Sequence, residues 1–174
     1  MGIFAIFLGK SEAPVDFGDR HAWKSTRNLK VYICPDIKRI SIIKHAFLVW
    51  SEITEGKFKF VYTDDKYNSD IDVNFSQNYI IRCYDTNAIG CTLVKSYARG
   101  GEILHASIQI SSSPFIKESS DKVYTVILHE IGHAMGIAKH SQNRNSIMYT
   151  FTTDSKKQKI GSEELYRLKK LYKW

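Results

Sequence analysis

The stretch that decides the fold is HEIGHAMGIAKHSQNRNSIMYT, which runs from His129 to Thr150. His129 and His133 are four residues apart, so on an α-helix their imidazoles project from one face, one turn apart. Neutral imidazole is a standard zinc ligand, and a catalytic zinc site combines three protein ligands with an open position for water. Glu130 follows the first histidine, where its carboxylate can take a proton from that water. The spacing therefore predicts a catalytic zinc site on a helix.

A third ligand has to come from outside this helix. Gly136 follows the second histidine by three residues, and glycine tolerates the positive φ with which many helices end. The chain can then turn back and deliver His140 to the metal. Lys139 cannot take this part, because its ammonium group carries donors and no lone pair. We therefore predict one zinc ion held by three histidines, and a site with only two histidines remains the alternative.

These residues resemble the metzincin zinc endopeptidases and, within them, the matrixins, whose motif H-E-x-x-H-x-x-G-x-x-H is followed by a methionine turn. The resemblance implies zinc ligands, a general base and a methionine under the metal, which would be His129, His133 and His140, then Glu130, then Met148. The family motif places its third histidine where this chain has Lys139, so His140 comes one residue late. The pair His140-Ser141 and the interval to Met148 do match the matrixins.

The remaining pattern predicts an α+β chain. Alternating apolar residues predict strands at 28–34, 57–62, 70–75, 89–95 and 103–110, and helical periodicity predicts helices at 39–54, 120–135 and 161–172, with Ser162 capping the last. By resemblance this is the zincin/metzincin fold, a mixed five-stranded sheet with two main helices and a small C-terminal subdomain ending in a helix. We expect a lead-in at 1–20 and a single metalloprotease catalytic domain at 21–174. The apolar opening MGIFAIFLGK could be a strand, the remnant of a trimmed leader or a weak export signal.

Composition narrows the classes of function. The net charge of +7 comes from scattered lysines and arginines, and no nucleic-acid module is recognisable, so we expect no nucleic-acid partner. No apolar run approaches the roughly 20 residues that span a bilayer. We expect a monomer that acts on a protein or peptide. The compartment stays undecided from the residues, and the family resemblance favours a secreted or extracellular protein.

Other metal-binding residue types are few. Cys83 and Cys91 bracket a short loop and could pair in an oxidising compartment, which would leave Cys34 as a buried strand residue. Animal matrixins often bind a structural zinc and calcium near the position of His105, but the partner histidines and the aspartate cluster are missing here. We therefore interpret His105 as a surface or packing residue, and calcium is possible but not indicated.

The predicted function is that of a zinc-dependent metalloendopeptidase, which hydrolyses peptide bonds through zinc-bound water with Glu130 as base. We expect the substrate to lie extended along an edge strand, for which residues 89–95 are the candidate. By resemblance, Tyr149 and residues 150–152 would wall the pocket that takes the side chain after the scissile bond. The late third histidine motivates an alternative, a catalytically degenerate binding protein on the protease fold.

Overall fold

The sheet is built from the alternating segments of the chain. The computed structural model describes residues 18–35, 39–76, 88–97, 101–111, 120–150 and 158–174, together with the backbone of residues 2–7. The strands are β1 (Gly2–Phe7), β2 (Leu29–Ile33), β3 (Phe60–Thr63), β4 (Ile71–Ser76), β5 (Gly90–Ser96) and β6 (Ile103–Ser111). They form one six-stranded sheet in the order β1-β5-β6-β4-β2-β3.

The sheet is mixed. Strands β3, β2, β4 and β6 run parallel to one another, whereas β5 is antiparallel to both β6 and β1. Parallel neighbours need crossover connections, and one of these crossovers is the helix α1 (Ile40–Ile53) between β2 and β3. Among the five strands predicted from the sequence, β5 is the antiparallel one. It lies next to the end of the sheet formed by β1 and contacts the helix that carries the histidine motif.

Two helices pack together beside the sheet. α1 buries one face through Ile43, Ala46, Phe47 and Trp50, and α2 (Ser120–Ala134) buries almost its entire C-terminal half. The indole Nε1 of Trp50 donates to the carbonyl oxygen of Leu128, at 2.9 Å, so the two helices share a buried hydrogen bond as well as apolar contact. Truncating a buried tryptophan of this kind costs about 3–5 kcal/mol of stability. This packing holds α2 rigidly under β5 and β6.

The third helix, α3 (Ser162–Tyr172), closes the C-terminal part against the end of α2. The Tyr172 hydroxyl donates to the carbonyl oxygen of Met135, at 2.8 Å, and the Trp23 indole donates to that of Ala134, also at 2.8 Å. These bonds satisfy carbonyl groups that the end of a helix leaves without partners. Trp23 and the C-terminal helix thus anchor the end of the helix that carries the histidines.

The predicted fold class is confirmed, and each predicted strand and helix is present. Residues 57–59 precede β3 and are not strand; Phe58 is fully buried there and packs edge-on against Tyr172 and Trp174. The predicted cap of the last helix is wrong: Gly161 is the N-cap, and its N–H donates to the Glu164 carboxylate at 2.7 Å.

The structure also shows the conformation of residues 2–7 and the state of two of the cysteines. Residues 2–7, predicted as part of a lead-in with a strand as one option, form β1 and cover the outer edge of β5. Cys91 is disulfide-bonded, Cys34 is a half-buried free thiol, and Cys83 lies outside the described residues. Among the helices described, none is long and apolar enough to cross a membrane.

Candidate metal centre

α2 presents two histidines towards the same point. The spacing of four residues places His129 and His133 one turn apart, and both are buried. Nδ1 of His129 lies 2.7 Å from the carbonyl oxygen of Ile147, and Nδ1 of His133 lies 2.6 Å from that of Ile137. A carbonyl oxygen only accepts hydrogen bonds, so each Nδ1 carries the hydrogen and each neutral ring keeps a lone pair on Nε2. Backbone carbonyls therefore orient both rings for metal binding.

The third histidine arrives from the loop after α2. α2 ends at Ala134, and the turn that follows contains Gly136, whose φ of 102° few other residues adopt. A Cβ at this position would also clash with the carbonyl oxygen of His21. Both the backbone angle and the lack of space therefore require glycine in this turn. After this turn Lys139 is exposed, and the His140 ring points back to the other two histidines. The extra residue before His140 is thus accommodated in the loop.

The three imidazoles bring their Nε2 atoms close together. Nε2 of His133 lies 2.9 Å from Nε2 of His129 and 3.3 Å from Nε2 of His140. One ligand atom from each of the three rings lies within 4.8 Å of the others. Two nitrogens bound tetrahedrally to zinc at the usual bond length are about 3.3 Å apart. The Nε2 lone pairs of His129 and His133 face each other and repel unless a cation or proton lies between them, and three imidazole nitrogens at these distances fit zinc.

Electrostatics keep the rings neutral. Burial lowers the pKa of His129 to about 3, with a further contribution from His140. Burial and then the charge of Arg167 lower the pKa of His140 to about 4, and burial holds the pKa of His133 well below its usual 6.5. Neutral imidazole is the form that binds a metal. The metal-free site is therefore deprotonated and ready for a cation at neutral pH.

Glu130 lies on α2 beside β5. Its Oε2 accepts a hydrogen bond from the Thr92 hydroxyl at 2.6 Å, and its Oε1 has no hydrogen-bond partner among the described residues. The side chain is fully buried, and this burial raises its pKa to about 8, against a smaller opposing effect of the Thr92 bond. A buried, unpartnered carboxylate oxygen is costly and commonly marks a functional group.

Gly90 allows β5 to approach that carboxylate. A Cβ on Gly90 would lie 2.6 Å from Oε1 of Glu130 and 2.6 Å from a methyl group of Val126. Both distances are shorter than any real Cβ contact, so only glycine fits between this strand and α2. The backbone of β5 is therefore the part of the sheet next to Glu130.

Met148 packs under the histidine helix. It is fully buried, and a Cβ on Gly132 would lie 2.5 Å from its sulfur. The glycine between Glu130 and His133 thus makes room for the methionine. Met148 also shapes the loop, because its carbonyl oxygen accepts from the N–H of Ser141 at 2.7 Å. The loop that begins with His140 is in this way tied to the methionine.

Carboxylates hold the same loop to α3 and to the beginning of the described chain. Asp19 accepts from the Ala138 N–H at 2.8 Å and forms a two-point ion pair with Arg167, at 2.7 Å for each bond. The buried Glu164 carboxylate bonds the Ser146 hydroxyl, directly before Ile147 and Met148. These contacts fix the loop on both sides of His140.

Comparison with known proteins assigns the family. The matrixin family model matches residues 22–173, which is most of the chain. The chain belongs to the matrixin family. A probable matrix metalloproteinase of Invertebrate iridescent virus 3 (095L) is 28% identical over 137 residues, which cover 76% of this chain and 37% of that protein. Matrix metalloproteinase-18 of Xenopus laevis is 26% identical over 144 residues, which cover 79% of this chain and 30% of that protein.

The chain therefore spans about a third of the length of these matrixin relatives. Solved structures agree on the fold alone. A myroilysin structure superposes with a TM-score of 0.54 at 14% identity, covering 87% of this chain and 95% of that one. Archaemetzincin from Methanopyrus kandleri superposes with a TM-score of 0.51 at 15% identity, covering 84% and 97%. The matrixin chain thus has the metzincin fold.

Several predicted residues lie away from this centre or beyond the described part. His105 Nε2 pairs with the Asp72 carboxylate at 3.2 Å on the sheet. Tyr149 is described, but residues 151 and 152 of the predicted pocket wall lie outside the described residues. Sequence reasoning missed Thr92, Gly90, Gly132 and Asp19, whose parts depend on contacts between segments distant in the chain.

Proposed function

We propose that this matrixin is a zinc-dependent endopeptidase in which His129, His133 and His140 hold one zinc ion and Glu130 is the general base. One observation carries the proposal: three imidazole nitrogens converge next to α2, in the same turns that carry a buried carboxylate with one oxygen that has no partner among the described residues. The family supports peptide-bond hydrolysis, and the partner we propose is a protein or peptide.

The proposed role of Glu130 follows from the different surroundings of its two carboxylate oxygens. When bound, zinc would supply a Lewis acid and a positive charge, which lower the pKa of a water molecule and of the nearby carboxylic acid and polarise the substrate carbonyl. The Thr92 hydroxyl holds Oε2, so Oε1 is left to accept a proton from the attacking water. As the water oxygen bonds to the carbonyl carbon, that proton moves to Glu130. It then passes to the amine nitrogen as the C–N bond breaks.

Burial suits Glu130 to both transfers. A carboxyl group whose pKa is raised towards the working pH holds a proton long enough to return it to the leaving group. Thr92 keeps the carboxylate in one orientation during this exchange, because its hydroxyl also lies 3.0 Å from the backbone carbonyl oxygen of Glu130. Thr92 is thus a positioning residue that acts through Glu130.

The alternative of a degenerate binding protein was motivated by the late third histidine. Lys139 points to the surface and His140 joins the other two imidazoles, so the displaced position does not remove the third nitrogen. A binding protein would also have no use for a buried, unpartnered carboxylate, which costs stability. Both features favour the enzyme.

Titration of the metal-free protein tests the proposal. We expect one equivalent of zinc to bind per chain and peptide cleavage to rise in proportion to the zinc bound. Magnesium serves as the matched control, because it prefers oxygen ligands in octahedral geometry and should restore no cleavage. One bound zinc ion with no peptide cut, across a diverse peptide mixture, would contradict the proposal.

A further inference from the structure

Two carboxylates hold the loop around His140, one on each side of the histidine. Asp19 accepts a hydrogen bond from the Ala138 N–H at 2.8 Å, two residues before His140. Glu163 accepts one from the Ser141 hydroxyl at 2.7 Å, directly after it. The loop is therefore held on both flanks of the histidine by side chains that lie far from it in the sequence.

The Arg167 side chain joins these two carboxylates. Its Nε lies 2.7 Å from Oδ2 of Asp19 and one terminal nitrogen lies 2.7 Å from Oδ1, while the other terminal nitrogen lies 3.8 Å from Oε1 of Glu163. A two-point contact of this kind fixes the geometry of both partners as well as adding energy. The Arg167 and Asp19 side chains are 13% and 19% exposed, so solvent screens their attraction less than that of an exposed pair. The Asp19–Arg167–Glu163 network therefore connects α3 to both flanks of His140.

The charge of Arg167 acts against a metal ion in the same place. Burial is the main cause that lowers the pKa of His140 and the positive charge of Arg167 is the next one, so the guanidinium lies close to that ring. Two positive charges repel each other, most strongly where little water lies between them. By charge alone, Arg167 weakens the binding of Zn²⁺ at the three histidines. The contribution of Arg167 to zinc binding is thus the difference between this repulsion and the effect of its network on His140.

We propose that Arg167 positions the third zinc ligand, His140, through the two carboxylates that it joins. The proposal rests on the proposed zinc site. The interval from Gly136 to His140 is one residue longer than in the matrixin motif, and an added flexible residue brings conformational entropy that metal binding has to remove. The network orders this segment in the metal-free protein, so the metal does not have to order it.

Arg167→Gln tests the proposal in the full metal-free chain, to which zinc is then added. The substitution removes the charge and the two-point contact. Lys170→Gln is the matched control, because it removes a positive charge from an exposed residue of the same helix. Competition with a chromophoric chelator measures Kd for zinc, and the visible spectrum of the cobalt-loaded protein reports the coordination geometry. Hydrogen exchange is followed at the Ala138 amide before metal is added. Asp19→Asn is the second variant, because it removes the ion pair and keeps an acceptor for that amide.

The sign of the change in zinc affinity decides, because loss of the charge alone strengthens zinc binding and loss of the network weakens it. We expect Kd of Arg167→Gln to be about ten-fold above that of Lys170→Gln, which is the lower end of what loss of an outer partner of a metal ligand costs. We also expect its cobalt spectrum to move towards that of His140→Ala, and its Ala138 amide to exchange faster. Asp19→Asn should change all three in the same direction.

Zinc binding by Arg167→Gln as tight as that of Lys170→Gln, with an unchanged cobalt spectrum, would overturn the proposal and leave the peptidase intact. If the wild type binds no zinc, the proposed function fails, and exchange at the Ala138 amide still decides about Arg167. Faster exchange in Arg167→Gln and in Asp19→Asn than in Lys170→Gln then supports the positioning of the loop, and equal exchange overturns it.

Discussion

The Thr92 hydroxyl lies 2.6 Å from Oε2 of Glu130, across the interface between the sheet and the histidine helix. Both side chains are fully buried. The bond joins β5, the strand predicted to pair with a substrate, to the proposed general base. The orientation of the carboxylate is therefore set by β5 and not by α2 alone.

Replacing Thr92 by valine should lower kcat about ten-fold and change KM little. The substitution keeps the shape of the side chain and removes a hydrogen bond to a charged group, which is worth about 1.5–3 kcal/mol. Steady-state kinetics on a single peptide measure the two constants. Thr92→Ser retains the hydroxyl and should recover most of kcat. If valine and serine variants have the same kcat, Thr92 does not position Glu130.

Replacing His140 by alanine should weaken zinc binding by more than about 100-fold, which is the upper end of what loss of an outer partner of a metal ligand costs. Lys139→Ala is the control on the neighbouring residue, where the family motif would have its third histidine, and it should bind zinc like the wild type. Competition with a chromophoric chelator measures both affinities. Equal affinities in the two variants would favour the two-histidine site.

Replacing Gly132 by alanine should destabilise the protein by about 1–3 kcal/mol, because the added methyl group meets the Met148 sulfur at 2.5 Å in a close-packed region. Urea unfolding measures the loss. Adding Met148→Ala to Gly132→Ala opens the space again, so the two changes together should cost less than the sum of the single changes. Strict additivity would show that the glycine does not accommodate the methionine.

Stability of the metal-free protein should pass through a maximum near pH 6.5. The histidines have lower pKa values folded than unfolded, so the folded state binds fewer protons and its stability is lost as the pH falls below 6.5 towards 4. Glu130 has a raised pKa of about 8 against 4.5, so its stabilising effect is lost as the pH rises through that range. Below pH 6.5 the destabilising effect of the three histidines exceeds the stabilising effect of Glu130. Above pH 6.5, Glu130 is the one of these groups that changes the free energy of unfolding.

The variant Glu130→Gln separates the effect of Glu130 on the pH dependence of stability from the effect of the histidines. Urea unfolding between pH 5 and pH 8 should show a steeper loss on the acid side, because Glu130 no longer offsets the histidines there, and no fall between pH 6.5 and pH 8. The amide keeps the size of the side chain and does not titrate. A fall on the alkaline side that persists in this variant would mean that another group causes it.

The histidine centre was predictable because helical periodicity and metal chemistry act locally. The four-residue spacing places His129 and His133 on one face, and the chemistry of lysine excludes Lys139 as a ligand in favour of His140. The strands followed from alternation of apolar residues. β1 was only one of three options for its segment, because an apolar hexapeptide carries no information about a partner strand ninety residues away.

The contacts around Glu130 were beyond sequence reasoning for a related reason. In the sequence, Thr92 is one polar residue within a predicted strand. Its contact with Glu130 depends on how closely α2 packs against β5. In the sequence, Gly90 and Gly132 are two glycines without a distinguishing pattern. Their importance appears only in the structure, where Glu130 and Val126 lie against Gly90 and Met148 lies against Gly132. Asp19 lies in the predicted lead-in and yet bonds the loop that carries His140, through Ala138.

Cleavage of a diverse peptide mixture by the zinc-loaded wild type and by zinc-loaded Glu130→Gln tests the central claim most directly. We predict that both bind one zinc ion, that the wild type cuts peptides, and that the variant is at least about 100-fold slower, as loss of a general base requires. Equal cleavage by the two proteins, or one zinc ion bound and no cleavage by either, would contradict a peptidase that uses Glu130 as its base.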